Sequence, residues 1–135
     1  MIHWLDHTAD VSLEITCDRY EDLFAAFVSG LASLLISGNA KPREARDVAL
    51  KEPAPADLLV ALGRRVLALF ETERFVPARL QVRSAGPAHL FGRLLGEPYD
   101  PARMDYHLEV KGVTYHDLEV VNQGSAWRGR VTFDV

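Results

Sequence analysis

A chain of 135 residues has room for one core burying about two-thirds of its unfolded surface, and none for a second domain. Hydrophobic residues at 48% and charged residues at 25% exclude a disordered chain, and no apolar run approaches the roughly 20 residues of a membrane helix. A net charge of −4 argues against a broadly basic surface and direct nucleic-acid binding, because affinity for phosphate backbones comes from clustered Lys and Arg.

The opening MIHWLDHTAD lacks the basic-then-apolar order of a secretory signal. VSLEIT alternates as a half-buried strand does, with Val11, Leu13 and Ile15 on one side and Ser12, Glu14 and Thr16 on the other. Extending that parity backwards puts Asp10 on the polar side. The single Cys17 cannot form an internal disulfide and fits a reducing cytoplasm. Asp18 followed by Glu21 resembles a capping box, and Leu23, Phe24, Phe27, Val28, Leu31, Leu34 and Leu35 then recur at helical spacing up to Gly38. GNAKPREARD reads as a surface loop. KEPAPAD leads into a second amphipathic helix carrying Leu58, Leu59, Leu62, Val66, Leu69 and Phe70.

Pro77 stops anything helical before ARLQV, which reads as a strand, as does LFGRLLG. GEPYD is a turn-rich connection. YHLEVKGVTYHDLEVV reads as a longer strand run, and WRGRVTFDV as the last strand. In that last strand Trp127, Val131, Phe133 and Val135 share one parity, and Arg128, Arg130, Thr132 and Asp134 the other. The expected fold class is therefore α+β: a single domain with a mostly antiparallel or mixed β-sheet and two long amphipathic helices packed on it. Asp10 and Asp134 both fall on polar sides of strands whose apolar sides face one core.

HTAD with its following strand, the helix DLFAAFVSGLASLL, the second helix opening DLLVAL, the turn GEPYD, the strand VKGVTYH and the closing VTFDV stand in the order typical of the archease family. The resemblance covers the whole chain, residues 1–135, as one archease-like domain. Two departures are mild: Gly112 after Lys111, where the family more often has Ala, and Asp6 before His7, where it often has Glu.

The resemblance implies a non-catalytic accessory protein of the RtcB-type RNA ligase, which joins tRNA halves in tRNA splicing with GTP and a divalent metal. Such a protein promotes guanylylation of the ligase and its multiple turnover. It would meet tRNA only indirectly, through the ligase, in the cytoplasm and without a membrane. The family's functional residues match Asp10, Lys111 and Asp134. Its metal site matches Asp10, Asp134 and the terminal carboxylate of Val135, and such hard oxygen donors suit Ca²⁺, Mg²⁺ or Mn²⁺.

Read from the residues alone, each position has a plainer account. Asp10 after Thr8 and Ala9 is a turn or cap residue, Asp134 an exposed end residue, and Lys111 a solvent-facing strand charge. His7 serves to fix the HTAD backbone. His107 and His116, counted on one strand, fall on opposite faces and so share no ion. Glu97 and Asp100 in GEPYD read as a solvated turn more readily than as an acid–base pair. The chain has no G-x-S-x-G elbow, no phosphate-binding Gly-rich loop and no Cys-x-x-Cys pair. A small metal-dependent hydrolase or nucleotide-binding enzyme using Asp10, Asp134 and His7 is the alternative to the helper protein.

Overall fold

A computed structural model describes residues 2–6 and 10–135, with residues 5 and 6 as backbone only. Among the described residues nine strands and two helices follow one another as β1 (Ile2–Asp6), β2 (Asp10–Cys17), α1 (Tyr20–Leu35), β3 (Ile36–Ser37), β4 (Glu44–Lys51), α2 (Pro55–Glu73), β5 (Phe75–Ala85), β6 (His89–Pro98), β7 (Asp105–Tyr106), β8 (Gly112–Asn122) and β9 (Trp127–Asp134). Every strand pairing among the described residues is antiparallel. The single α+β domain holds three sheets instead of one: β1-β2-β9-β8, the short pair β3-β7, and β4-β6-β5.

The helices form where the apolar spacing requires. All seven residues read as the apolar stripe of α1, from Leu23 to Leu35, are buried. On α2 Leu58, Leu59, Leu62, Val66 and Leu69 are buried, and Phe70 is half-buried. Both helices touch both larger sheets, α1 against β2 and β5, α2 against β8, β5 and β4. The stripes therefore fill one shared core, in which Phe27 stacks on Phe133 at 5.8 Å and Leu13, Ile15 and Val131 are fully buried. Fully burying one such side chain contributes about 1.5–3 kcal/mol. Gly63 lets α2 approach β8 closely, since a Cβ there would lie 2.6 Å from Val113 Cγ2.

Several sequence expectations are corrected. The N-cap of α1 is Arg19, without a side-chain cap bond, so Asp18 and Glu21 form no capping box; Arg19 pairs with Glu21 instead. GNAKPREARD is only partly a loop, because Glu44–Lys51 forms β4 and pairs along its whole length with His89–Gly96 of β6. Its alternation is weak in the sequence because one face is wet: Val48 alone of its residues is buried. Pro77 lies inside β5, at a register shift against β6 between Pro77 and Arg79, where a missing N–H is tolerated. The run from Tyr106 to Val121 is broken in two. His107 N–H donates to the Leu35 carbonyl at 3.0 Å and Leu108 N–H to that of Leu34 at 2.9 Å, so this stretch caps the end of α1 before β8 begins. β8 itself shifts register between Thr114 and Glu119, where Asp117 has φ 53°.

Candidate functional site

The four-stranded sheet brings the two ends of the described polar strands together. β2 and β9 run antiparallel in a register that places Asp10 opposite Asp134, and β9 in turn places Asp134 opposite Gly112. Directly opposed residues share a face with their Cβ atoms about 4.5–5.5 Å apart. Asp10 is half-buried and Asp134 exposed. Among the described residues neither carboxylate has an ion pair or a side-chain hydrogen bond.

Behind the acids on the same face, the second row is Ser12 and Thr132. Their hydroxyls bond at 2.7 Å, and both residues are buried. The polar side of these strands is therefore not uniformly wet, as simple parity suggests; two small hydroxyls can be buried there because they satisfy one another. The third row holds Glu14 and Arg130, paired at 3.2 Å, and Arg128 pairs with Glu119 at 2.8 Å. The basic side chains of β9 are thus committed two and more rows away. The acid end of the sheet keeps its negative charge.

Lys111 lies just ahead of β8 instead of within a strand. Its N–H donates to the Asp134 carbonyl at 2.7 Å, which fixes the chain beside the last acid. The residue is exposed and lines a groove of about 380 Å³ with Leu67, Phe70 and Glu71 of α2, Arg74 just after it, and Leu108. Val135 follows Asp134 directly, and its half-buried side chain packs on the core. The structure brings Asp10, Asp134, Val135 and the Lys111 backbone to one sheet end. His7, with Thr8 and Ala9, lies outside the described residues, as does the side chain of Asp6.

The remaining acids and histidines have other roles. Glu97 is buried, not a solvated turn residue: Arg103 binds it at 2.7 Å and Asp100 at 3.0 Å, and the Lys41 backbone N–H also donates to Glu97. Burial raises the Glu97 pKa, but the Arg103 guanidinium and the Lys41 N–H outweigh it and hold the carboxyl below the usual range. No sequence pattern announced this, since Arg103 reaches back over a turn. His107 and His116 do not share a strand; His116 sits 3.2 Å from Asp117 on the irregular part of β8. His89 bonds Ser84 at 2.8 Å and lies against Phe91. Among the described residues no three His, Cys, Asp or Glu side chains group as a metal-holding set. The acid pair thus brings two carboxylates together without a third such side chain among the described residues. No helix among the described residues is long and apolar enough to cross a membrane.

Comparison with known proteins gives the family. The Archease protein family (MTH1598/TM1083) matches residues 3–135. The chain belongs to the archease family. Archeases of Methanosarcina barkeri and Methanopyrus kandleri are 28% and 27% identical over alignments covering 98% and 97% of this chain and 94% and 96% of theirs. The archease fold is also that of Methanobacterium thermoautotrophicum protein 1598, solved in solution, with a TM-score of 0.83 at 22% identity over 99% of this chain and 98% of that one. A Thermotoga maritima archease, described as a possible chaperone, superposes with a TM-score of 0.63 at 21% identity, covering 97% of this chain and 94% of its own.

Proposed function

We propose that the chain is a non-catalytic activator of an RtcB-type RNA ligase in tRNA splicing, promoting ligase guanylylation and multiple turnover by protein–protein contact. The observation that carries this reading is the meeting of Asp10 and Asp134 on one sheet end with the Lys111 backbone bonded to Asp134. Family membership supports it, and the description of the Thermotoga protein as a possible chaperone agrees with a helper role.

The donor set fits a divalent ion. Two opposed carboxylates without a cationic partner among the described residues, with the carboxylate proposed at Val135, offer hard oxygens of the kind that Ca²⁺, Mg²⁺ and Mn²⁺ take. Asp10, Asp134 and Val135 would hold it. When bound, such an ion offers Lewis-acid stabilisation of phosphate charge in a partner's nucleotide site. The chain's own residues orient that end: the β2–β9 register fixes the acid spacing, and Lys111 presents a cation beside it to an acidic or phosphate group across the interface. The ligase, in the cytoplasm, would hold the transfer RNA ends that are joined.

The test is a ligation assay under multiple-turnover conditions with and without the chain. Turnover should rise with wild type and not with Asp10→Ala or Asp134→Ala, while the chain alone should release nothing from phosphoesters or nucleotides. Unchanged ligation, or hydrolysis by the chain alone, would overturn the proposal.

A further inference from the structure

The sheet β4-β6-β5 turns one face to solvent, and its charge differs from that of the chain as a whole. The hairpin from Phe75 to Gly96 contains Arg79, Arg83 and Arg93 and no Asp or Glu, within a chain of net charge −4. Lys51 on β4 extends the basic set, and two acids lie on this side, Asp47 opposite Arg93 and Glu52 next to Lys51. Lys51, Arg79, Arg83 and Arg93 are all exposed, and among the described residues none of them makes an ion pair. Elsewhere most arginines are paired, as Arg46, Arg103, Arg128 and Arg130 are. Four cations without an ion pair therefore stand together on this one surface.

That surface also carries rings. Phe91 and His89 alternate outward on the central strand, half-buried and 4.9 Å apart, and they line a shallow concavity of about 640 Å³ with Lys51 and Glu52. Cross-strand register sets Phe91 between Ala49 and Ser84, and Arg93 between Asp47 and Gln81. The small neighbours Ala49 and Ser84 leave Phe91 room for a flat group to lie on it. An open sheet with ring faces along its centre and unpaired cations around them complements a strand whose bases can splay and whose phosphates run alongside. An acidic protein surface would match the cations but make no use of the rings.

We infer that this sheet face binds single-stranded RNA. The choice of RNA over DNA rests on the ligase reading above, whereas the fit to a single strand rests on the face itself. The whole-chain charge hides the feature, because the acids concentrate on other elements.

Fluorescence anisotropy with an oligouridine of about 12 nucleotides, a span suited to one such face, tests the inference on the chain alone, with no ligase present. Four phosphate contacts predict that affinity falls about fiftyfold between about 50 and about 200 mM salt, and that Arg79→Gln/Arg93→Gln roughly halves the logarithmic salt slope. Phe91→Leu keeps an apolar side chain but removes the ring, and should weaken binding about fivefold or more. The arginines are exposed, so thermal melts of their double variant should match wild type. Binding unaffected by these variants, no binding at low salt, equal affinity for oligothymidine, or equal competition by poly-glutamate would each overturn the proposal. Because ligase activation is read separately, either proposal can fail without the other.

Discussion

Asp10 and Asp134, separated by nearly the whole chain, are direct cross-strand partners on β2 and β9. Like charges placed directly opposite in a sheet destabilise it by a few tenths of a kcal/mol or more, an effect relieved when a cation sits between them. Tolerating such a pair at the sheet end is costly without a ligand and useful with one.

The first prediction follows from that balance. Asp134→Asn should raise the melting temperature slightly in chelator, by the equivalent of about 0.2–1 kcal/mol, and should abolish the further rise that millimolar Ca²⁺, Mg²⁺ or Mn²⁺ gives the wild type. Differential scanning calorimetry with and without each ion measures both. A variant that still responds to the ions as wild type does would move the binding site elsewhere.

What was legible in the sequence follows physical lines. The stripes of α1 and α2 could be read because a buried helix face demands apolar residues at fixed spacing, and the strict alternation of β2 and β9 placed both acids on one side of a sheet. That the acids meet depends on strand order, which local patterns do not encode. β4 was hidden because a wet strand with a single buried Val48 looks like a loop. The break at His107 was hidden because its backbone bonds go to the end of α1, and residues of high strand propensity from Tyr106 to Val121 mask that long-range pairing. Glu97 was misread since a turn composition says nothing of Arg103 folding back over it.

Glu97 gives the second prediction. Its side chain is nearly buried and satisfies both Arg103 and the Lys41 N–H. Glu97→Leu should cost about 1–3 kcal/mol by leaving those donors unmatched. Since the folded pKa lies below the unfolded value of about 4.3, the carboxylate stabilises the fold above that pH, and its contribution is lost as pH falls through the folded value. Glu97→Gln should therefore differ from wild type most at neutral pH and least in strong acid. Melting curves from neutral to acid pH test it, and a gap that widens toward acid would show the sign to be wrong.

A third prediction separates the backbone of Lys111 from its side chain. The N–H to Asp134 survives any substitution except proline, and the exposed side chain makes no ion pair among the described residues. Lys111→Ala should melt within about 0.5 kcal/mol of wild type while losing most ligase activation. Lys111→Pro, by contrast, should also lower stability, by about 1 kcal/mol or more, through the lost bond to Asp134. If Lys111→Ala keeps full activation, the side chain plays no part at the interface.

The last prediction concerns the chain end, where order and function coincide. Termini usually fray because nothing holds them. Here β9 is held to Asp134 by pairing with both β2 and β8, and beyond it Val135 packs on the core beside the buried Phe133. Val135 therefore directly follows an ordered strand, one residue from Asp134. A short C-terminal extension replaces the carboxylate proposed at Val135 with a neutral amide and crowds the acid end, yet leaves Val131, Phe133 and the helices untouched. Such a protein should melt like wild type but bind divalent ions several-fold more weakly and activate the ligase poorly. Cleaving the extension back to Val135 should restore both. Wild-type ion affinity with the extension in place would remove the terminal carboxylate from the site and leave Asp10 and Asp134 as its whole anionic side-chain set.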